Sequence, residues 1–208
     1  MTQMSQQSSS ITSNQEELIL VVKREYLLPS PYEWQGLRTD GIDEFVQRIT
    51  QYQEFIPRSM AEEDETYKQI IPYIIFRFRD RYFLMQRKAG ASEQRLKGKY
   101  LLGIGGHLRQ EDMRSSSIID WALREFHEEV SYAGSLQTKV LGMLNDDSSA
   151  VGRVHLGLVL LFDGDSGDIA VKSELEQGFL ATVDDCNRYV PQMEAWSVII
   201  MNYLPRGR

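Results

Sequence analysis

Gly103-Ile104-Gly105-Gly106-His107 and, beyond a polar loop, Arg124-Glu125-Phe126-His127-Glu128-Glu129 are the two segments whose reading decides the fold. The first ends an apolar run, Tyr100 to Gly106, so a short strand finishes where backbone can approach a ligand or ion with no side chain between. The second lies within Ser116 to Val130, which a helix of about 100° per residue sorts into faces. Ile119, Ala122, Leu123, Phe126 and Val130 form a core-facing stripe, and Glu125, Glu128 and Glu129 occupy a neighbouring arc. Their i, i+3, i+4 spacing puts three carboxylates within reach of one point, where their repulsion favours a cation. Clustered hard oxygen donors suit Mg²⁺ or Mn²⁺. A solvated acidic face with Arg124 paired to Glu128 explains the helix taken alone. The upstream glycines, which can add a backbone carbonyl, shift the balance toward a metal site.

Outward from these segments the chain alternates strands with a few helices. Glu17 to Arg24 has the β-branched density of a strand, and Gly41 to Gln53 carries Ile42, Phe45, Val46, Ile49 and Tyr52 at helical spacing. Ile70 to Phe78 and Tyr82 to Arg87 read as a hairpin turning at Arg79-Asp80-Arg81, with Pro72 at an edge or bend. Ala89 to Lys99 is a basic, polar loop. Strands are expected at about Leu136 to Leu144, Val154 to Phe162 and Gly178 to Val183, and a closing helix at Gln192 to Leu204. This order implies an α+β protein, a mixed sheet covered by helices. The expected division is a disordered Ser/Gln-rich tail (1–15), an N-terminal extension of strand and helix packed on the core (16–64), and a main domain (65–208).

Composition excludes several classes. With 208 residues, 42% hydrophobic content and a net charge of −7, the chain builds a real core and makes a poor partner for nucleic-acid polymers or anionic membranes. A single cysteine, Cys186, permits no internal disulfide and fits a reducing compartment. No run approaches the ~20 apolar residues of a membrane span, and the N-terminus lacks the apolar core of a signal peptide. The expectation is a cytoplasmic protein without membrane association.

At this point the sequence resembles the Nudix hydrolase family, whose signature reads G-x5-E-x7-R-E-U-x-E-E-x-G-U with U apolar. Gly106 takes the place of the opening glycine, Asp112 stands where the first Glu would be, and Arg124 to Glu129 match R-E-U-x-E-E. Two departures stand out. Eleven residues rather than seven separate Asp112 from Arg124, a four-residue insert, and Ser131 replaces the later glycine, leaving Gly134 to end the helix. Tyr67 to Tyr73 and the stretch from Leu144-Asn145-Asp146-Asp147-Ser148 to Gly157 look like a branch described only as predicted phosphoesterases.

The resemblance implies an α/β/α sandwich and a small-molecule diphosphate or nucleotide substrate, attacked by water at a diphosphate phosphorus. It implies Glu125, Glu128 and Glu129 as ligands of Mg²⁺ or Mn²⁺, with the carbonyl of Gly105 or Gly106. Glu125 is the first candidate for general base, and Arg124 would orient the glutamates, braced by Glu111 or Asp112. A diphosphate also wants fixed cations. Arg87 and Lys88 at a strand end, with Arg95, Lys97 and Lys99 in the next loop, are candidates, although each would equally serve as an ordinary surface cation. Asp146 and Asp147 could contribute a distal carboxylate, as a metal ligand or a base, or simply form a turn with Asn145 and Ser148. His107 could touch substrate, and Trp121 projects beside Glu125, although packing is its plainer role. A homodimer is among the assemblies this chain could form. Two other functions compete: a diphosphate isomerase on the same fold, which would want a catalytic cysteine, and a non-catalytic nucleotide-binding regulatory module, which often loses box glutamates.

Overall fold

The structure, a computed structural model, describes residues 16–30, 33–88, 97–112, 117–172 and 175–205. The expected tail and Arg95 lie outside them. Strand β4 (Tyr67–Phe78) organises the sheet. On one side it pairs in parallel with β10 (His155–Gly164), with Leu156 opposite Ile70 and Phe162 opposite Phe76. Its other side is shared by three antiparallel partners in succession: β1 (Leu18–Lys23) at Tyr67 to Gln69, β7 (Gly103–Gly105) at Tyr73 to Ile75, and β5 (Arg81–Arg87) at Arg77 and Phe78. β12 (Leu175–Ala181) continues beyond β5, while β9 (Leu136–Asn145) and the short β2 (Gly36–Arg38) extend the sheet beyond β10.

Pro72 sits inside this central strand rather than at its edge or a bend. It falls in the gap between the β1 and β7 ladders, a place where a residue without an N–H is tolerated. The anticipated strand Tyr100 to Gly106 is two strands. β6 (Tyr100–Leu101) pairs with β5, and β7 pairs with β4. The switch needs Gly103, since a Cβ there would stand 2.2 Å from the Tyr73 ring.

Side-chain alternation along β4 and β10 divides the core in two. Ile70, Ile74, Phe76, Leu158, Leu160 and Phe162 face α2 (Ile42–Tyr52) and α4 (Ile118–Glu129). Tyr73, Ile75, Val159 and Leu161 face α6 (Val183–Cys186) and α7 (Ala195–Met201). The protein is therefore an α/β/α sandwich around a mixed sheet. The closing helix is shorter than expected, because a 3-10 segment (Asn187–Gln192) containing Pro191 precedes α7.

Helix α4 forms where its sequence dictates. Ser117 accepts from the Asp120 N–H while the Asp120 side chain takes the Ser117 N–H, a reciprocal cap. Phe126 is fully buried, stacked on Phe76 with ring centroids 5.8 Å apart and edge-on to Phe162 at 5.4 Å. Gly134 does not end the helix as expected. Val130 passes directly into β8 (Val130–Tyr132), and Gly134 lies beyond it, where a Cβ would stand 2.3 Å from Asp165 Oδ1.

Candidate active site

The β7 ladder delivers Gly105 and Gly106 to the acidic face of α4. A Cβ on Gly106 would meet Glu125 Oε1 at 2.9 Å and the Trp121 ring at 3.4 Å, so only glycine lets this carboxylate lie against the turn. Trp121 is buried and packs behind that contact, as its plainer reading holds. Glu125 and Glu129 are half-buried and Glu128 is exposed, 3.9 Å from Arg124. Among the described residues no three acidic or histidine side chains already converge on one point. Helical spacing nevertheless brings the glutamates to one face of α4.

Arg124 is braced from outside the helix. Its Nη2 donates to Asp112 Oδ1 at 2.9 Å, and Asp112 Oδ2 accepts from Arg109 Nε at 3.0 Å and from Trp121 Nε1 at 3.3 Å. Of the two acids considered for this part, Asp112 takes it. Glu111 is exposed and lies 3.9 Å from Arg109. Residues 113–116, in the loop that carries the insert, lie outside the described set.

Arg87 ends β5 with its Nε on Glu194 Oε1 at 2.5 Å. Burial weakens the Arg87 charge, but the pull of Glu194 outweighs it, with a smaller attraction from Glu129, and the net pKa is raised. Arg87 thus shares a neighbourhood with the end of α4. Lys88, beside it, is exposed.

His107 and Asp146 turn elsewhere. His107 Nε2 bonds Gln69 Oε1 at 2.8 Å and lies 3.4 Å from His155 Nε2. Burial, then Arg58 and His155, lowers its pKa to about 4. Asp146 is buried, and its Oδ1 accepts from Gln35 Nε2 at 2.6 Å and from the Ser148 N–H at 3.2 Å. Beside it Asp147 binds Arg24 and takes Lys68 Nζ at 2.7 Å. This polar interlock joins Arg24 and Gln35 to β4 and the β9–β10 connection. Sequence reading missed Lys68 and Glu194, and offered Asp147, with Asp146, as a distal carboxylate or a turn residue rather than as an ion-pair partner. The one available signal was a lysine next to the apolar run that opens at Ile70.

Cys186 is buried among Val183, Met193 and their neighbours, and burial pushes its thiol up to about 11. It packs on the α6 and α7 side of the sheet, across from the acidic helix, where an isomerase would want its cysteine near the site. The open groove of about 440 Å³ lined by Glu33, Trp34, Gln35, Leu37, Arg38, Thr39 and Asp40 holds no residue of the acidic helix. Among the described residues no helix is long and apolar enough to cross a membrane.

Sheet, flanking helices and glycine turn define an α+β sandwich with an acidic helix face set against the end of a central-sheet strand. Comparison with known proteins is consistent: the chain matches the crystal structure of Tm1382, assigned as a Nudix hydrolase, with 33% identity and a TM-score of 0.76 over 90% of this chain and 98% of that one. The protein belongs to the Nudix hydrolase family. It is also 30% identical over 201 residues to Protein YmaB of Bacillus subtilis (strain 168), covering 91% of this chain and 98% of that one. DR0079 of Deinococcus radiodurans, at 14% identity and a TM-score of 0.54 over 74% of this chain and 92% of that one, shares the fold. No model of a known protein family matches the chain.

Proposed function

We propose that the protein is a Mg²⁺- or Mn²⁺-dependent hydrolase of an organic diphosphate, such as a nucleoside diphosphate linked to a further group. The observation that carries this reading is the seat of the Glu125 carboxylate on Gly106, beside Glu128 and Glu129 on one helix face. An all-oxygen donor set fits a hard divalent cation. Glu125, Glu128 and Glu129 would hold it with the carbonyl of Gly106. When bound, the ion supplies neutralisation of diphosphate charge and acidification of water.

The chain's own residues do the rest. Glu125, kept against the turn, is assigned to accept the proton of the attacking water at Oε1. That water's oxygen bonds to a diphosphate phosphorus while the bridging P–O bond breaks and the leaving phosphate departs with its electron pair. Arg124, braced by Asp112, keeps the helix face in register without touching substrate. Arg87 and Lys88 are assigned to the diphosphate charge. Asp146, through Gln35, and His107, through Gln69 and its bond to the Ala61 carbonyl, are assigned to holding the N-terminal extension, which supports a substrate path on the α4 and β5 side.

The test is a phosphate-release screen over a diphosphate panel with Mg²⁺ or Mn²⁺, run beside Glu128→Gln and Glu129→Gln. Metal-dependent release that collapses in both variants is expected. Activity surviving both changes would sink the mechanism.

A further inference from the structure

Glu194 is a carboxylate where an anion-binding site should least want one. It stands just before α7 with its side chain only 15% exposed. Its backbone N–H donates to the Tyr100 carbonyl at 2.9 Å, and Tyr100 pairs with Gln86 in the β5–β6 ladder. Arg87, next along β5, donates its own N–H to the Lys99 carbonyl at 3.0 Å. Both members of the pair are therefore anchored to the same ladder before their side chains meet.

The pair also points somewhere. Leu175 of β12 lies opposite Arg87, and the Lys172 N–H just upstream donates to the Glu129 carbonyl at 2.8 Å. Leu175 thus lies opposite Arg87 and Lys172 at the end of the acidic helix, and Glu129 adds to the attraction that Arg87 feels. Below, Tyr73 Oη and the Leu102 N–H both bond Ser197 Oγ, at 2.8 and 3.0 Å, which fixes the start of α7. Glu194 engages Nε, on the inner side of the guanidinium. The outer edge, with its two Nη groups, is the fork that matches phosphate oxygens.

We propose that Glu194 is a positioning residue: it holds the Arg87 guanidinium beside the Glu129 end of α4, with the outer edge directed at the substrate diphosphate. This rests on the diphosphate-hydrolase reading above. A long cation left to sample its rotamers binds more weakly than one held in place, because the ordering is already done before substrate arrives. Glutamine in place of Glu194 still offers Oε1 to Nε, whereas alanine releases the arm.

The experiment measures MgADP binding by calorimetry in the full chain, for wild type, Glu194→Gln, Glu194→Ala, Arg87→Ala and the Arg87→Ala/Glu194→Ala double variant. We expect Glu194→Ala to weaken binding about tenfold, Glu194→Gln to stay within about threefold of wild type, and Glu194→Ala to add no further loss once Arg87 is gone. A Glu194 that merely supports α7 would lower the melting temperature and act equally in both backgrounds. Wild-type-like binding by Glu194→Ala, or a loss undiminished in the Arg87→Ala background, overturns the inference alone. A wild type that binds neither MgADP nor any panel diphosphate overturns the hydrolase reading and this inference together.

Discussion

Arg124 and Asp112 meet across 12 residues, Nη2 to Oδ1 at 2.9 Å, although a longer loop than the Nudix signature allows separates them. The insert is therefore absorbed without loss of the brace. Asp112 is only 9% exposed and collects Arg109, Arg124 and the Trp121 N–H, so it ties the loop to both the helix and its buried indole.

Asp112→Ala should detach Arg124 and let the glutamate face drift. Residues that orient metal ligands typically matter by about 10–100-fold in activity or metal affinity. We expect a loss of that order in kcat/KM on the substrate found by the panel, and a modest drop in melting temperature. Glu111→Ala should leave both unchanged. Equal effects of the two substitutions would contradict the assignment of the brace to Asp112.

Gly106→Ala should act locally. Its backbone has no positive φ to strain, but the new Cβ would stand 2.9 Å from Glu125 Oε1. The carboxylate has to swing away, so the Mg²⁺ concentration for half-maximal activity should rise about tenfold or more while the melting temperature stays within a few degrees. Unaltered metal dependence would separate Glu125 from the turn.

The elements that sequence reading found are those whose information is local. The Ile119-Ala122-Leu123-Phe126 stripe specifies α4 within four turns, and its cap is spelled by Ser117 and Asp120. Tyr100 to Gly106 reads as one strand because nothing local says that Leu101 answers Met85 while Ile104 answers Ile74. The site shows the same limit. Glu125 and Gly106 come with a recognisable spacing, whereas Glu194 reaches Arg87 over 107 residues and Lys68 reaches Asp147 over 79. A buried lysine is intelligible only once its acceptors are folded around it.

Lys68→Met should be among the most damaging substitutions away from the acidic helix. Lys68 is fully buried, with Nζ on Asp147 Oδ1 at 2.7 Å, the Gly152 carbonyl at 2.9 Å and the His155 carbonyl at 3.2 Å. Removing it strands these acceptors and leaves Asp147 with Arg24 and Asn145. Because Asp147 is partly exposed, we expect about 2–4 kcal/mol, at the lower side of the range for breaking a buried pair. Denaturant unfolding at neutral pH measures it, and a loss under about 1 kcal/mol would show that the interlock is replaceable.

The histidine pair predicts an acid-sensitive fold. His107 Nε2 donates to Gln69 Oε1, and His155 Nδ1 donates to the Val151 carbonyl at 2.6 Å, a bond that taken alone favours the protonated ring but is outweighed by burial. Burial lowers His107 from 6.5 to about 4, and burial lowers His155 as well. With the folded values below those of the unfolded chain, falling pH protonates the unfolded state first. The stabilisation is complete above about pH 6.5 and declines as pH approaches 4, by on the order of 2–3 kcal/mol for His107. The urea midpoint should fall across this window, and Gln at positions 107 and 155 together should flatten the dependence. A wild-type midpoint that stays level from pH 6.5 to 4.5 would mean that these rings are solvated and free to protonate in the folded protein.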